Sequence, residues 1–274
     1  MSNNIFFICV NYNNSNYTIN YIDNVLSLKS LPKDAKIIVV DNNSEKEDIK
    51  KIKNHISNKP DIKLIQNNKN LGYFGGLNEG LKVIKNKNKD FVIIGNNDIK
   101  FESNFIEELL KLDIGEKLMV ICPDIITKDG KHQNPHLIKK ISKLERIKNE
   151  IYFKNYYITM FLRFLNKPLK MIFNKNINKN KRNYKNKTKI RMGIGACYVL
   201  TQNFFKNFEL LDNEVFMWGE EAVFANQIEK VNGDVFYIPE LKVFHEENAS
   251  VRKIPSKERF ELVKKSYKKY KKYL

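Results

Sequence analysis

FVIIGNND, residues 91–98, runs from four apolar residues through a glycine to two amides and a carboxylate. Phe91, Val92, Ile93 and Ile94 are β-rich and lack polar alternation, the pattern of a strand covered on both faces as in parallel sheets. Similar runs surround it. IFFICVNY (5–12), KIIVVD (36–41), DIKLIQN (61–67) and LMVICP (118–123) read as further strands. Helical spacing fills about 17–30, 74–86 and 102–112, with Ser103 as the expected N-cap of the third. Strand and helix in alternation predict an α/β fold with an open, mostly parallel sheet flanked by helices. Ligands of such sheets bind beyond the carboxyl ends of the strands. Three of those ends are polar here: Asn11 and Asn13, then Asp41, Asn42, Asn43 and Ser44, then Asn96, Asn97 and Asp98.

A chain of 274 residues, 42% hydrophobic and 12% aromatic, can bury a full core. No apolar stretch approaches the roughly 20 residues of a spanning helix, and IFFICV is too short and lacks the basic flank of a signal peptide. A cytoplasmic location is expected. Cys9, Cys122 and Cys197 lie in apolar runs without CxxC spacing, so they are expected as reduced core thiols. The net charge of +18 is unevenly placed: residues 139–191 carry +15 and residues 252–274 carry +8, which leaves the rest at −5. A nucleic-acid binder would be expected to spread its Lys and Arg over a folded face with stacking aromatics, so no nucleic-acid partner is expected.

Past residue 138 the character changes. EIYFKNYYITMFLRFLNKPLKMIF (150–173) mixes aromatics, leucines and basic residues and is interrupted by Pro168; NKNINKNKRNYKNKTK (174–189) reads as a mobile loop. Sheet-like sequence returns in GIGACYVLT (193–201) and DVFYIPELKVFHEE (234–247), with a helix at about 219–232 between them and a basic helical tail after them. Four segments follow: two halves of a sheet domain at 1–138 and 191–250, a basic aromatic insertion at 139–190, and a basic helix at 251–274.

Several stretches could carry chemistry. A strand-end carboxylate beside amides, as in NND, offers oxygen ligands for Mg²⁺ or Mn²⁺, although taken alone the tripeptide reads as turn chemistry. Asp41 in VVDNNS could accept from a nucleobase or ribose, or could close an Asx turn. NLGYFGG (70–76) places Gly75 and Gly76 before a helix N-terminus suited to phosphate, and serves equally as a tight turn. In FMWGEEAVFANQI (216–228), Glu221 shares a helical face with Phe224, Ala225 and Ile228, which would desolvate it and raise its proton affinity. Glu220 fits the ordinary role of an acid offsetting the helix dipole. His245 ends the run LKVFH, where a neutral ring nitrogen could meet a metal.

VNYN, VVDNNS, NLGYFGG, NND, GACYVL, MWGEE and VFH, in this order, resemble the family-2 glycosyltransferases of the GT-A fold. The likeness is greatest to the branch of bacterial rhamnosyl-, galactofuranosyl- and other hexosyltransferases of surface polysaccharide. It covers about residues 5–138 and 190–247.

The resemblance implies inverting transfer of a sugar from a UDP- or dTDP-hexose to a hydroxyl of a growing, lipid-linked surface glycan. It implies that Asp41 with Asn43 reads the base, and that Val10, Asn11, Asn13, Asn70, Gly72, Gly75 and Gly76 line the nucleoside. Asn96, Asn97, Gly195 and Ala196 would border the diphosphate and sugar. Asp98 and His245 would hold Mn²⁺ or Mg²⁺, with Asn96 where the first acid of a DXD motif usually stands. Glu221 would take the position of the catalytic base, usually Asp, with Glu220 beside it. The basic aromatic insertion and the tail would then rest on the inner face of the membrane or form a homodimer contact. A basic nucleic-acid-binding module and a non-catalytic carbohydrate-binding protein are the competing readings.

Overall fold

The computed structural model describes residues 4–85, 91–162, 164, 184–246 and 256–274. Their strands form one sheet. β1 (Ile5–Asn11), β2 (Lys36–Asp41), β3 (Ile62–Gln66) and β4 (Phe91–Asn96) are mutually parallel, in keeping with the continuous apolar runs of β1, β2 and β4, and β3, with Lys63 exposed, is the edge strand. β5 (Ile99–Phe101), β6 (Leu118–Thr127), β7 (Thr188–Ile190), β8 (Cys197–Leu200) and β9 (Asp234–His245) complete it in the order β3-β2-β1-β4-β8-β6-β9-β5, with β7 also on β9. β8 is antiparallel to both β4 and β6, so the two halves of the chain share one sheet across the β4–β8 seam.

Side chains alternate between two cores. Phe7 and Cys9 of β1 face α1 (Ser15–Leu26) and α4 (Phe105–Leu110), and Ile8 faces α3 (Tyr73–Lys82) and α8 (Glu220–Glu229). α2 (Lys46–Ile56) and α7 (Gln202–Phe205) are peripheral. Cys9, Cys122 and Cys197 are buried and unpaired, as expected.

Outside the sheet, α5 (Lys143–Tyr152) begins with a capping box in which Ser142 and Glu145 exchange hydrogen bonds. It leads into α6, whose described residues are 156–162 and 164. Both lie against α9 (Ser256–Tyr270): Phe153 stacks on Tyr267 at 4.4 Å, and Tyr156 meets Phe260 edge-on at 5.6 Å. α9 in turn covers α8, where Tyr267 and Leu274 pack with Ala222 and Ala225. Arg146 and Arg191 hold the main-chain oxygens of Leu274 and Tyr273.

Three local expectations change. The third sequence-read helix starts at Phe105 with Asn104 at its N-cap and no side-chain cap bond, so Ser103 does not cap it. Residues 99–101, unassigned from the sequence, form β5 because β9 offers them an antiparallel partner. The lysine-asparagine stretch expected as a loop contributes Thr188 and Lys189 to β7, again by pairing with β9. The rest of that stretch up to residue 183, and Pro168 with its neighbours from 165, lie outside the described residues.

Candidate active site

The parallel registers set Asn11 opposite Asp41 and Val10 opposite Asn96, so β1, β2 and β4 deliver their polar ends to one edge. A cavity of about 470 Å³ opens beyond that edge. Val10, Asn70 and Gly72 line it from the first half of the chain, with Asn96, Asn97 and Asp98 from the end of β4. Gly195, Ala196, Glu220, Glu221 and His245 line it from the second half.

The Asp98–His245 pair is a product of strand register. β5 pairs with β9 so that Ile99 faces His245, which brings Asp98 Oδ1 to 3.3 Å from His245 Nε2. Gln133 Oε1 accepts from His245 Nδ1 at 3.0 Å, and Asn96 Nδ2 lies 3.3 Å from Nε2. With Nδ1–H directed to Gln133, Nε2 is left as an acceptor between Asn96 Nδ2 and the Asp98 carboxylate, a pairing that a shared cation would satisfy. The 3.3 Å separation suits two adjacent ligands of one ion at metal–ligand distances of about 2.1 Å. Among the described residues no three His, Cys, Asp or Glu side chains are clustered to hold a metal. One carboxylate and one imidazole fit a divalent ion that leaves other positions for water and phosphate oxygens.

The two carboxylates at the start of α8 are placed by Gly219, its N-cap, at φ 95°. A Cβ there would overlap the Tyr270 ring of α9, so a glycine is required twice over. Burial differs from the expectation. Glu220 is the sequestered carboxylate, at 5% exposure, and Glu221 is less buried and opens on the cavity. Burial, reinforced by repulsion from Glu221, pushes Glu220 up to about 8. Glu221 Oε1 accepts from the Gly195 amide at 3.3 Å, and Tyr73 Oη donates to the Gly195 carbonyl at 2.6 Å. Asn96 N donates to Ala196 O at 2.9 Å, so the main chain of 195–196 is held from both sides.

Other expected residues do not line the cavity. Asp41 is fully buried: its Oδ1 accepts from Asn11 Nδ2 at 2.8 Å and its Oδ2 from Ser44 N at 2.9 Å, the Asx-turn alternative. Asn11 also donates to Asp48 at 2.8 Å, and Asn13 Oδ1 accepts from Glu45 N at 2.8 Å. Asn43 is exposed on the turn at φ 67°. Gly75 and Gly76 are buried in α3; at Gly76 an added Cβ would lie 2.9 Å from Asn42 Nδ2 and 3.0 Å from Val10 Cγ2. Gly76 brings the helix close to β1, and neither glycine lines the cavity. Asn97 lines it yet spends its amide on Thr18 and Asn14, each at 2.7 Å.

Sequence reasoning missed Asn14 and Gln133 on the cavity wall, and gave no site role to Tyr12, Asn42, Tyr73 and Trp218 inside stretches it had quoted. Gln133 carries no local signal. It reaches His245 because Gln133 N bonds Ile125 O on β6, the strand that runs beside β9.

Comparisons with known proteins agree with this geometry. The family model described as Glycosyl transferase family 2 matches residues 6–207. No curated protein matches the chain. Among solved structures, GalNAc-T7 with UDP, GalNAc and Mn²⁺ is similar at TM-score 0.61 and 16% identity, over 90% of this chain and 44% of that one. A mannosyltransferase, PcManGT from Pyrobaculum calidifontis, in complex with GDP-Man and Mn²⁺, is similar at 0.57 and 12%, over 90% and 58%. S. aureus TarS 1-349 is similar at 0.54 and 12%, over 89% and 60%. The chain thus spans about half the length of these structures, and at such identities the likeness concerns the fold. The match to the family model extends over most of the strands that build the cavity, and on that ground the chain belongs to glycosyl transferase family 2.

Proposed function

We propose that this chain transfers a hexose from a UDP- or dTDP-sugar, with rhamnose, galactose, galactofuranose or glucose as the sugar, to a hydroxyl of a growing lipid-linked surface glycan, with inversion. The observation that carries this reading is the convergence in one cavity of the Asp98–His245 pair and the two carboxylates of α8. Two proteins of this fold, solved with UDP or GDP-Man and Mn²⁺, add support.

In this reading Val10, Asn70 and Gly72 receive the nucleoside. Asp98 and His245 hold Mn²⁺ or Mg²⁺, which when bound offsets the charge developing on the departing nucleoside diphosphate. Gly195 and Ala196 border the sugar on a main chain fixed by Tyr73 and Asn96. Glu221 faces that border and takes the proton of the attacking acceptor hydroxyl. Burial and repulsion from Glu221 favour the protonated form of Glu220, so less negative charge faces the donor at the start of α8.

Residues 139–190 and the last helix would rest on the inner face of the membrane. Leu144, Ile147 and Ile151 form one exposed face of α5, and Tyr157, Phe161 and Phe164 another on α6, within the segment of highest positive charge. Each Lys or Arg near an anionic surface adds on the order of 1 kcal/mol. No helix of the described residues is long and apolar enough to cross a membrane.

The test is release of nucleoside diphosphate from a panel of UDP-, dTDP- and GDP-sugars with Mn²⁺, Mg²⁺ or EDTA. One donor should be consumed in a metal-dependent way, and Asp98→Ala and Glu221→Gln should each lower the rate about 100-fold or more. Absence of both turnover and calorimetric donor binding would overturn the reading.

A further inference from the structure

Trp218 stands at a junction. It lines the cavity of Glu220 and Glu221, and it also lines a second cavity of about 320 Å³ between α5, α6 and α9. It holds this place at φ 64°, in the left-handed region, where a bulky side chain is an outlier maintained only by its surroundings. Those surroundings are firm. Ser266 Oγ of α9 donates to Met217 O at 2.6 Å on one side, and Gly219 packs against Tyr270 on the other.

The second cavity is aromatic and, among the described residues, carries one cation. Tyr152, Phe153, Tyr156 and Phe260 wall it together with Trp218, and Tyr156 Oη lies 3.1 Å from Ser256 Oγ. Arg259 borders it, half-buried and with no partner among the described residues. Along α9, Arg259 precedes Ser266 by seven residues, so it lies about 10 Å from the point where the helix grips the main chain beside Trp218. Lys264 stands over Phe260 at 5.9 Å and donates to Lys154 O at 2.9 Å, and the surrounding segments carry the +15 and +8 that dominate the chain. Aromatic walls with a few placed polar groups suit a small ligand with flat apolar faces. A half-buried guanidinium in a field this positive favours a phosphate.

We propose that this groove is the acceptor site and that it takes a saccharide joined to its carrier through phosphate, the sugar against Trp218 and the phosphate on Arg259. The inference rests on the transferase reading and adds to it the chemistry of the acceptor. Trp218 would be a positioning residue that presents the acceptor hydroxyl to Glu221.

Trp218 is the only tryptophan in the sequence, so its emission reports on the junction directly. The full chain is titrated with short-chain alkyl diphosphates carrying glucose, galactose or N-acetylglucosamine, with the neutral alkyl glycosides of the same sugars, with the corresponding uronic-acid glycosides, and with the alkyl diphosphate alone. Calorimetry with UDP, dTDP and GDP in Mn²⁺ follows the donor cavity on the same samples. A phosphate-linked saccharide should change Trp218 emission saturably and bind about tenfold more tightly than its neutral glycoside. Arg259→Gln should remove that difference and Arg259→Lys should restore part of it. Equal binding of the neutral or the uronic-acid glycoside, equal binding of the alkyl diphosphate without sugar, or no emission change while a nucleoside diphosphate binds normally would each overturn the proposal. Failure of every nucleoside diphosphate to bind would instead overturn the transferase reading beneath it. The comparison among ligands on the unmodified chain decides the matter even where a variant folds poorly.

Discussion

Glu220→Gln should make the protein more stable, and increasingly so as the pH rises from 5 to 9. The carboxyl is 5% exposed and its affinity for a proton is raised from an ordinary 4.5 to about 8. A carboxyl raised on folding favours the folded state fully below its unfolded value. That contribution is lost progressively as pH climbs through the folded value, because the unfolded chain ionises freely and the folded chain does not. At about 1.4 kcal/mol per pH unit, the cost to the native protein is bounded by about 3 kcal/mol at pH 7 and about 5 kcal/mol at pH 9. Glutamine has nearly the shape of the protonated acid and no charge at any pH, so the variant escapes the cost. Urea unfolding of both proteins at half-unit steps from pH 5 to 9 measures the difference. The two stabilities should nearly meet at pH 5 and diverge above it, with the slope ending near pH 8. Glu221→Gln, by removing the repulsion, should shift that end point to lower pH. Parallel stability curves across the range, or a variant less stable than the native protein at pH 8, would show that Glu220 is not held protonated by the fold.

Two further changes probe the frame of the cavity. Gly72→Ala places a Cβ on the Phe216 carbonyl oxygen at a residue with φ 77°, and main chain cannot step aside, so a loss of at least about 2 kcal/mol is expected in urea unfolding; a loss under about 0.5 would contradict the contact. Asn11→Ala strips hydrogen bonds from Asp41, Asp48 and Thr18 at a fully buried position and should cost about 2–4 kcal/mol, whereas a near-neutral result would mean that water replaces the amide.

The central strands were legible because a parallel strand buried on both faces is written as an unbroken apolar run, and the polar residues that end β1, β2 and β4 mark the edge where the cavity opens. β5 and β7 were not, since three residues are too few to carry a periodic signal and become strands only when β9 supplies the partner. The relative burial of Glu220 and Glu221 also escaped the pattern. Helical periodicity assumes one buried face, but α8 has the sheet on one side and α9 on the other, so Glu220 is the more buried although both carboxylates line the cavity. Asp41 read by its own residues as an Asx turn, with a ligand role only through the resemblance, and its bonds from Asn11 and Ser44 form that turn. The sequence by itself determined the sheet, the family and the stretches that carry the chemistry, all of them local patterns of burial and residue type. The tertiary structure alone decided how Asp98, His245 and the α8 carboxylates, which the resemblance had set in one site, are held together and that Gln133 joins them, because this depends on the register of β9 against β5 and β6 and on the last helix closing over Gly219, neither of which has any local trace.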